Sequence, residues 1–326
     1  MTPLIDGLRD QSTAELRTQS FARQLWRFAR PHTVVGTTLS LFALWVMARG
    51  LFRAPVAPGL FGAPGDHGAI SLSALALTWL ACIGANVYIV GLNQLTDTAI
   101  DRVNKPYLPL ASGAWSRATG QLVIGVSLAV ALAATALVGS RWLSWTVGLS
   151  LLLGTAYSLP PLRLKRFAFW AAFCIIAVRS LIVNLLLFAH VADWRSAVTD
   201  LPPVVWLLVG VMFAFSVAIA WFKDLPDLLG DREHGIATLT VRLGPRRAFR
   251  LGHAVLLLVL LASAVWAYVF VGNAALAGGQ LTVAAAYGLV ARRLELADAR
   301  SLRRFYLGVW GVFFLEYIVF AAAVWV

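Results

Sequence analysis

The sequence predicts an all-α, polytopic membrane protein, and three observations point there. The 326 residues are 60% hydrophobic and only 13% charged, too apolar for a soluble domain of this length. The apolar residues gather in runs that approach or reach the roughly 17 to 25 needed to cross a bilayer as helices, which satisfy their own backbone groups. The basic residues recur in alternate loops between those runs.

About nine spans are expected by that length criterion. They run roughly from Val34 to Ala48, Ser71 to Leu95, Ala118 to Leu137, Trp145 to Tyr157, Ala168 to Phe188, Val204 to Phe222, Leu251 to Val271, Ala274 to Ala291 and Tyr306 to Val326. The span ending at Tyr157 is short and its start is blurred by Trp142 and Trp145, so eight or ten spans are also compatible. An odd number places the termini on opposite sides of the membrane.

A net charge of +12 suggests nucleic acid at first sight, but its placement argues for topology instead. Arg9, Arg17, Arg23, Arg27 and Arg30 precede the first span; Arg102, Lys105 and Arg117 fill the second loop, and Arg163, Lys165 and Arg166 the fourth. Lys223, Arg232, Arg242, Arg246, Arg247 and Arg250 fill the sixth, and Arg292, Arg293, Arg300, Arg303 and Arg304 the eighth, so 22 of the 27 basic residues share one side. By the positive-inside rule that side, with the N-terminus, faces the cytoplasm and the C-terminus lies opposite. Arg49, Arg53, Arg141 and Arg195 fall on the other side, and Arg179 lies within a span.

Residues 1–33 form a polar, charged N-terminal segment without the apolar core of a cleaved signal peptide, so the first span serves as its own insertion signal. Residues 34–326 carry no Ser/Gly linker and read as one membrane domain. Cys82 and Cys174 sit inside spans, which leaves no disulfide framework.

Two acidic clusters stand out because the chain has only 15 acidic residues. Asn93, Asp97 and Asp101 are spaced i, i+4, i+8, which on a continuous helix puts them on one face, about 6 Å apart along the axis at each step. Lys223-Asp224-Leu-Pro-Asp227-Leu-Leu-Gly-Asp231 repeats the i, i+4 pair at the end of the sixth span, with Pro226 and Gly230 able to bend or end the helix. Carboxylates gathered beside a membrane are costly unless a cation compensates them. Hard oxygen donors at this density suit magnesium, which keeps waters and binds through one or two carboxylates plus phosphate oxygens. The alternative is an interfacial ion network with Arg102, Lys105, Lys223 or Arg232. Between the clusters, Tyr157-Ser-Leu-Pro-Pro161 leads into Arg163, Lys165 and Arg166. Lys165 is the candidate for charge-assisted hydrogen bonds to a diphosphate leaving group.

These motifs resemble the two signatures of the UbiA-type intramembrane prenyltransferases, Asn-x-x-x-Asp-x-x-x-Asp from Asn93 to Asp101 and Asp-x-x-x-Asp from Asp227 to Asp231. Further segments are similar to the homogentisate prenyltransferase branch: Arg30-Pro-His-Thr33 with Gly36-Thr37, Asn93-Gln-Leu, Asn104 to Gly113, Tyr157 to Pro161, Val178-Arg179 with Val183-Asn184, Lys223 to Asp227, and Phe305-Tyr306 with Glu316-Tyr317. Gln94 stands where many members of the wider family carry Asp, a departure that the homogentisate branch shares.

The resemblance implies about nine helices around a central cavity with a cytoplasmic Asp-rich cap. It also implies magnesium-dependent transfer of a phytyl or other long prenyl group from its diphosphate to an aromatic acceptor, with homogentisate, decarboxylated on transfer, as the expected acceptor. Carried onto this chain, Asn93, Asp97, Asp101, Asp227 and Asp231 hold magnesium and diphosphate, with Lys165, Arg102, Tyr157, Lys223 and Asp224 around the donor. Arg179, inside a span, requires a partner or polar cavity, either an acceptor carboxylate or a group of the protein itself. His32 and Glu316 stay open between acceptor and structural roles. A terpene cyclase on the same scaffold, acting on the diphosphate alone, and a transporter with acids along its pathway are the rival readings.

Overall fold

The computed structural model describes residues 16, 18–52, 69–222, 225, 240 and 243–326. The described residues are helical, with no strand among them. In order they form α1 (Phe21–Phe28), α2 (Pro31–Phe52), α3 (Leu72–Thr96), α4 (Thr98–Asn104), α5 (Pro109–Ser112), α6 (Arg117–Val138), α7 (Arg141–Ser158) and α8 (Ala168–Ile176). A π-helical segment (Ala177–Leu187) follows, then α9 (Phe188–Val191), α10 (Pro203–Phe222), α11 (Pro245–Val269), α12 (Ala274–Ala291) and α13 (Ala299–Ala323).

Eight of these helices or helical runs are long and apolar enough to cross a membrane. The protein is therefore an integral, multi-pass membrane protein. The expected span from Trp145 to Tyr157 falls on α7, 18 residues long, which is not among those eight. Its Ser144, Thr146, Ser150, Thr155 and Ser158 make it more polar than the other eight.

The helix ends follow local chemistry. Ser71, Ser116, Ser140 and Asn273 accept the backbone N–H groups of Ala74, Thr119, Leu143 and Leu276, capping α3, α6, α7 and α12. Gly113 and Gly139 close α5 and α6 at φ of 71° and 67°, a conformation that costs a side-chain-bearing residue free energy. Within the spans, Thr78, Thr135, Thr146 and Thr155 return their hydroxyl protons to the carbonyl one turn earlier, which satisfies them where no water is available.

The chain divides into two compact units, Met1–Phe42 with Val56–Cys174, and Ala43–Pro55 with Ile175–Val326. In the first, α3 packs along α6 and α7, and the approach to α6 depends on Gly84: a Cβ there would sit 2.7 Å from the Ser127 carbonyl oxygen. Phe28, Val87, Trp115 and Ile124 form a core beneath α1. In the second unit, α11 packs on α12, α12 on α13, and α10 on the π-helical segment, where the Ser180 hydroxyl reaches Ser216 at 3.0 Å. Both cysteines are free thiols, Cys174 buried and Cys82 partly so.

Candidate active site

The first acidic cluster is formed, but not on one unbroken helix. α3 ends at Thr96, Asp97 takes φ −110° and ψ 15°, and α4 resumes at Thr98. The hydrogen-bond ladder survives the break, since Asp97 N–H reaches the Asn93 carbonyl at 3.0 Å and Asp101 N–H reaches that of Asp97 at 2.8 Å. The three side chains thus stay on consecutive turns while the axis bends between them.

Cations from three segments converge on them. Lys165 Nζ lies 2.6 Å from Asp97 Oδ1 and donates to Thr96 Oγ1 at 2.9 Å. Arg163 Nη2 reaches Asp97 Oδ1 at 3.4 Å, and Asn93 Nδ2 donates to Asp97 Oδ2 at 3.2 Å. Lys105 pairs with Asp101 at 3.3 Å. Burial pushes the Lys165 ammonium below the ordinary lysine range, against the opposing hydrogen bond and charge of Asp97. Tyr157 stands within electrostatic range of Asp97 and Arg30. Arg102, expected at the diphosphate, is exposed on α4 and joins none of these pairs.

Arg30, read from sequence only as one of the basic residues before the first span and part of a motif, joins the cluster by donating from Nη2 to Asn93 Oδ1 at 3.2 Å. It holds φ 55° between α1 and α2, and Pro31 starts the next helix. Thr33 ties that turn down, donating toward the Ala29 and Arg30 carbonyls and accepting from Asn86 Nδ2 at 3.0 Å. The available signal was the pre-proline arginine itself, a residue steered away from continuing the preceding helix. Gln94 points away from the acids: its Nε2 donates at 2.7 Å to the Phe28 carbonyl at the end of α1. An ionised Asp there has no proton to give that carbonyl.

Two atoms of the cluster are buried without a hydrogen-bond partner, Asp101 Oδ2 and Arg30 Nε. A carboxylate oxygen open to a hard cation and a guanidinium nitrogen open to an anion fit a magnesium ion with a diphosphate. The charge count agrees, because Asp97 and Asp101 face Arg30, Lys105, Arg163 and Lys165, an excess of positive charge suited to a polyanion. Among the described residues no three His, Cys, Asp or Glu side chains form a metal cluster by themselves. Lys223, Asp224, Asp227, Asp231 and Arg232 lie outside the described residues, as do Arg9, Arg17, Arg53 and Arg242.

In the second unit, Arg179 opens the question of its partner. It stacks on the Trp310 ring at 4.5 Å, with Phe313 at 6.0 Å, and forms no ion pair with a carboxylate among the described residues. The π-helical widening of Ala177–Leu187 is stitched by Asn184, whose amide donates to the carbonyls of Arg179 and Ser180 at 2.9 and 3.0 Å. Asn184 in turn accepts from Tyr317 Oη at 2.9 Å. Glu316 is fully buried and accepts from Gln280 Nε2 at 2.7 Å, so its partner is a protein amide. His32 is exposed.

Residues 52–318 match the UbiA prenyltransferase family. The chain is 41% identical over 308 residues to the homogentisate phytyltransferase of Synechocystis sp., covering 92% of this chain and 95% of that one. It is 36% identical over 306 residues to homogentisate phytyltransferase 1, chloroplastic, of Arabidopsis thaliana, covering 90% and 73%. In fold it is similar to a UbiA homologue from Archaeoglobus fulgidus bound to GPP and Mg2+, with a TM-score of 0.56, 18% identity, and 93% and 99% of the two chains covered.

Proposed function

The chain belongs to the UbiA prenyltransferase family and is a prenyltransferase, and from that premise we propose that it transfers a phytyl or other long prenyl group from its diphosphate to homogentisate, with magnesium. The observation that carries the reading is the cation-rich surround of Asp97 and Asp101, with one carboxylate oxygen and one guanidinium nitrogen left for a ligand. The names of the relatives favour homogentisate as acceptor.

Asn93, Asp97 and Asp101 would hold magnesium, which neutralises diphosphate charge and helps the allylic C–O bond ionise. Asp227 and Asp231, with Lys223 and Asp224 beside them, are assigned to the same task on sequence alone. Lys165, Arg163 and Arg30 bind the diphosphate and stabilise its charge as it leaves, with Arg102 an outer contributor. Tyr157 borders the same donor. Arg179 receives the acceptor's carboxylate while the Trp310 ring, stacked on its planar guanidinium, holds it in place. An electron-rich ring carbon beside a phenolic hydroxyl captures the prenyl cation and loses its own proton to restore aromaticity, while the acetate substituent loses carbon dioxide and its methylene takes up a proton to become a methyl group. Apolar walls exclude water that would otherwise quench the cation. The basic loops, and with them the N-terminus, are assigned to the cytoplasm and the C-terminus to the opposite side.

Membranes from cells expressing the protein, supplied with homogentisate, magnesium and a panel of prenyl diphosphates, are expected to yield a prenylated quinol. Absence of product with every donor, or donor consumption that needs no phenol, would overturn this reading.

A further inference from the structure

Arg179 lies in the π-helical segment Ala177–Leu187 of the second unit. In an α-helix a residue five positions on stands about 140° further round the axis. Bonding to the fifth residue widens the turn and brings that residue almost into line. Asn184 thus stands one π-turn from Arg179, and its amide donates to the Arg179 carbonyl at 2.9 Å and to that of Ser180 at 3.0 Å. Those bonds set the amide's orientation, because the reverse one would turn its oxygen toward two carbonyl oxygens. The oxygen is left to accept, and the Tyr317 hydroxyl donates to it at 2.9 Å. Both side chains are buried, Asn184 at 0% exposure and Tyr317 at 2%.

Helix α13 holds Arg179 from both ends. Trp310, Phe313 and Tyr317 recur at i, i+3 and i+7, the spacing of one helix face. Trp310 stacks on the guanidinium at 4.5 Å, and Phe313 meets the Trp310 and Tyr317 rings edge-on, each at 5.7 Å. The contacts close a circuit that runs from the guanidinium through Trp310, Phe313, Tyr317 and Asn184 back to the Arg179 carbonyl. Glu316, beside Tyr317, accepts from Gln280 on α12, which opposes rolling of α13 out of that register.

We infer that Asn184 and Tyr317 are positioning residues for the aromatic acceptor, fixing the backbone under Arg179 so that its guanidinium meets the acceptor's carboxylate in one place; this rests on the reading of Arg179 as that carboxylate's partner. Neither side chain is assigned a contact with substrate. A guanidinium binds a carboxylate best through two parallel hydrogen bonds, and that geometry is lost when the arginine's backbone drifts. The π-turn serves the same end, because it places Asn184 where it can brace the Arg179 carbonyl and reach Tyr317 at once.

Steady-state kinetics of the full chain in membranes, with homogentisate and the prenyl diphosphate varied in turn, test this. Tyr317→Phe keeps the ring but leaves the Asn184 oxygen without its donor. It is expected to raise KM for homogentisate about five- to tenfold, the worth of one buried hydrogen bond, with KM for the diphosphate unchanged. Asn184→Ala is expected to raise it at least as far. Ser180→Ala removes the bonds of the same segment to Met212 and Ser216 and is expected to leave both KM values within about twofold. Added to Arg179→Met, Tyr317→Phe is expected to have no further effect, since no guanidinium is left to place. An unchanged KM for homogentisate in Arg179→Met would overturn the acceptor reading and this inference with it. A raised KM there but not in Tyr317→Phe, a Ser180→Ala effect as large as that of Tyr317→Phe, equal effects on both substrates, or additivity in the double variant would overturn the positioning role alone.

Discussion

Lys165 is the residue whose surroundings say most about its task. It is partly buried, forms the shortest of the described ion pairs, and carries a pKa lowered by desolvation that Asp97 only partly offsets. Since the ammonium is charged below its pKa, donor capture is retained at neutral pH and lost as pH rises through a value below the ordinary lysine range. The alkaline limb of kcat/KM for the prenyl diphosphate is therefore expected to fall early, and Lys165→Arg to shift it upward; a limb unmoved by that substitution contradicts the role. Lys165→Met is expected to lower kcat by about 100- to 1000-fold, the scale of removing one leaving-group stabiliser. Arg179 acts on the acceptor instead. Arg179→Met is expected to raise KM for homogentisate about 10- to 100-fold, the worth of a charge-assisted hydrogen bond, leaving KM for the donor unchanged. Equal effects on both substrates would contradict that assignment.

At the scale of elements, the i, i+4, i+8 spacing of Asn93, Asp97 and Asp101 was legible because hydrogen bonds to the fourth residue back persist through Asp97. The bend was not, since Asp97 leaves helical geometry through its own φ and ψ, with no Pro or Gly to announce it. Arg30 escaped for a related reason: sequence shows a basic residue before a span, and only the left-handed turn at φ 55° brings it to Asn93. The π-helical segment was equally hidden, because a buried apolar run carries no clear period, and Asn184 reveals its stitching role only once Arg179, Ser180 and Tyr317 surround it. The resemblance had grouped Val183-Asn184 with Val178-Arg179, and Glu316-Tyr317 with Phe305-Tyr306; a hydrogen bond joins the two groups, from Tyr317 to Asn184. Packing between α3 and α6 depends on Gly84, and its replacement by Ala sets a methyl 2.7 Å from a backbone carbonyl that cannot rotate away. Gly84→Ala is expected to destabilise by about 1–3 kcal/mol, read as a lowered midpoint of thermal unfolding in detergent. An unchanged midpoint would mean the helices separate freely.

For the whole molecule, composition and loop charge were enough for an all-helical membrane protein, and most span boundaries fell within a few residues of the helices observed. Segment α7 shows the limit of hydropathy, because a helix whose serines and threonines bond within the protein reads as less apolar than the spans around it. Composition could not supply the chemistry. That came from a few polar residues at helix ends, and homogentisate rests on kinship rather than on any spacing. The measurement closest to the proposed activity is prenyl transfer to homogentisate across a magnesium titration, with wild type and Asp97→Ala inserted to equal levels in membranes. The wild type is expected to form prenylated quinol only with magnesium, to lose it on chelation and to recover it on readdition, while Asp97→Ala forms none at any magnesium concentration. Undiminished turnover in Asp97→Ala, or in the chelated wild type, would contradict a metal–diphosphate site at Asp97 and Asp101.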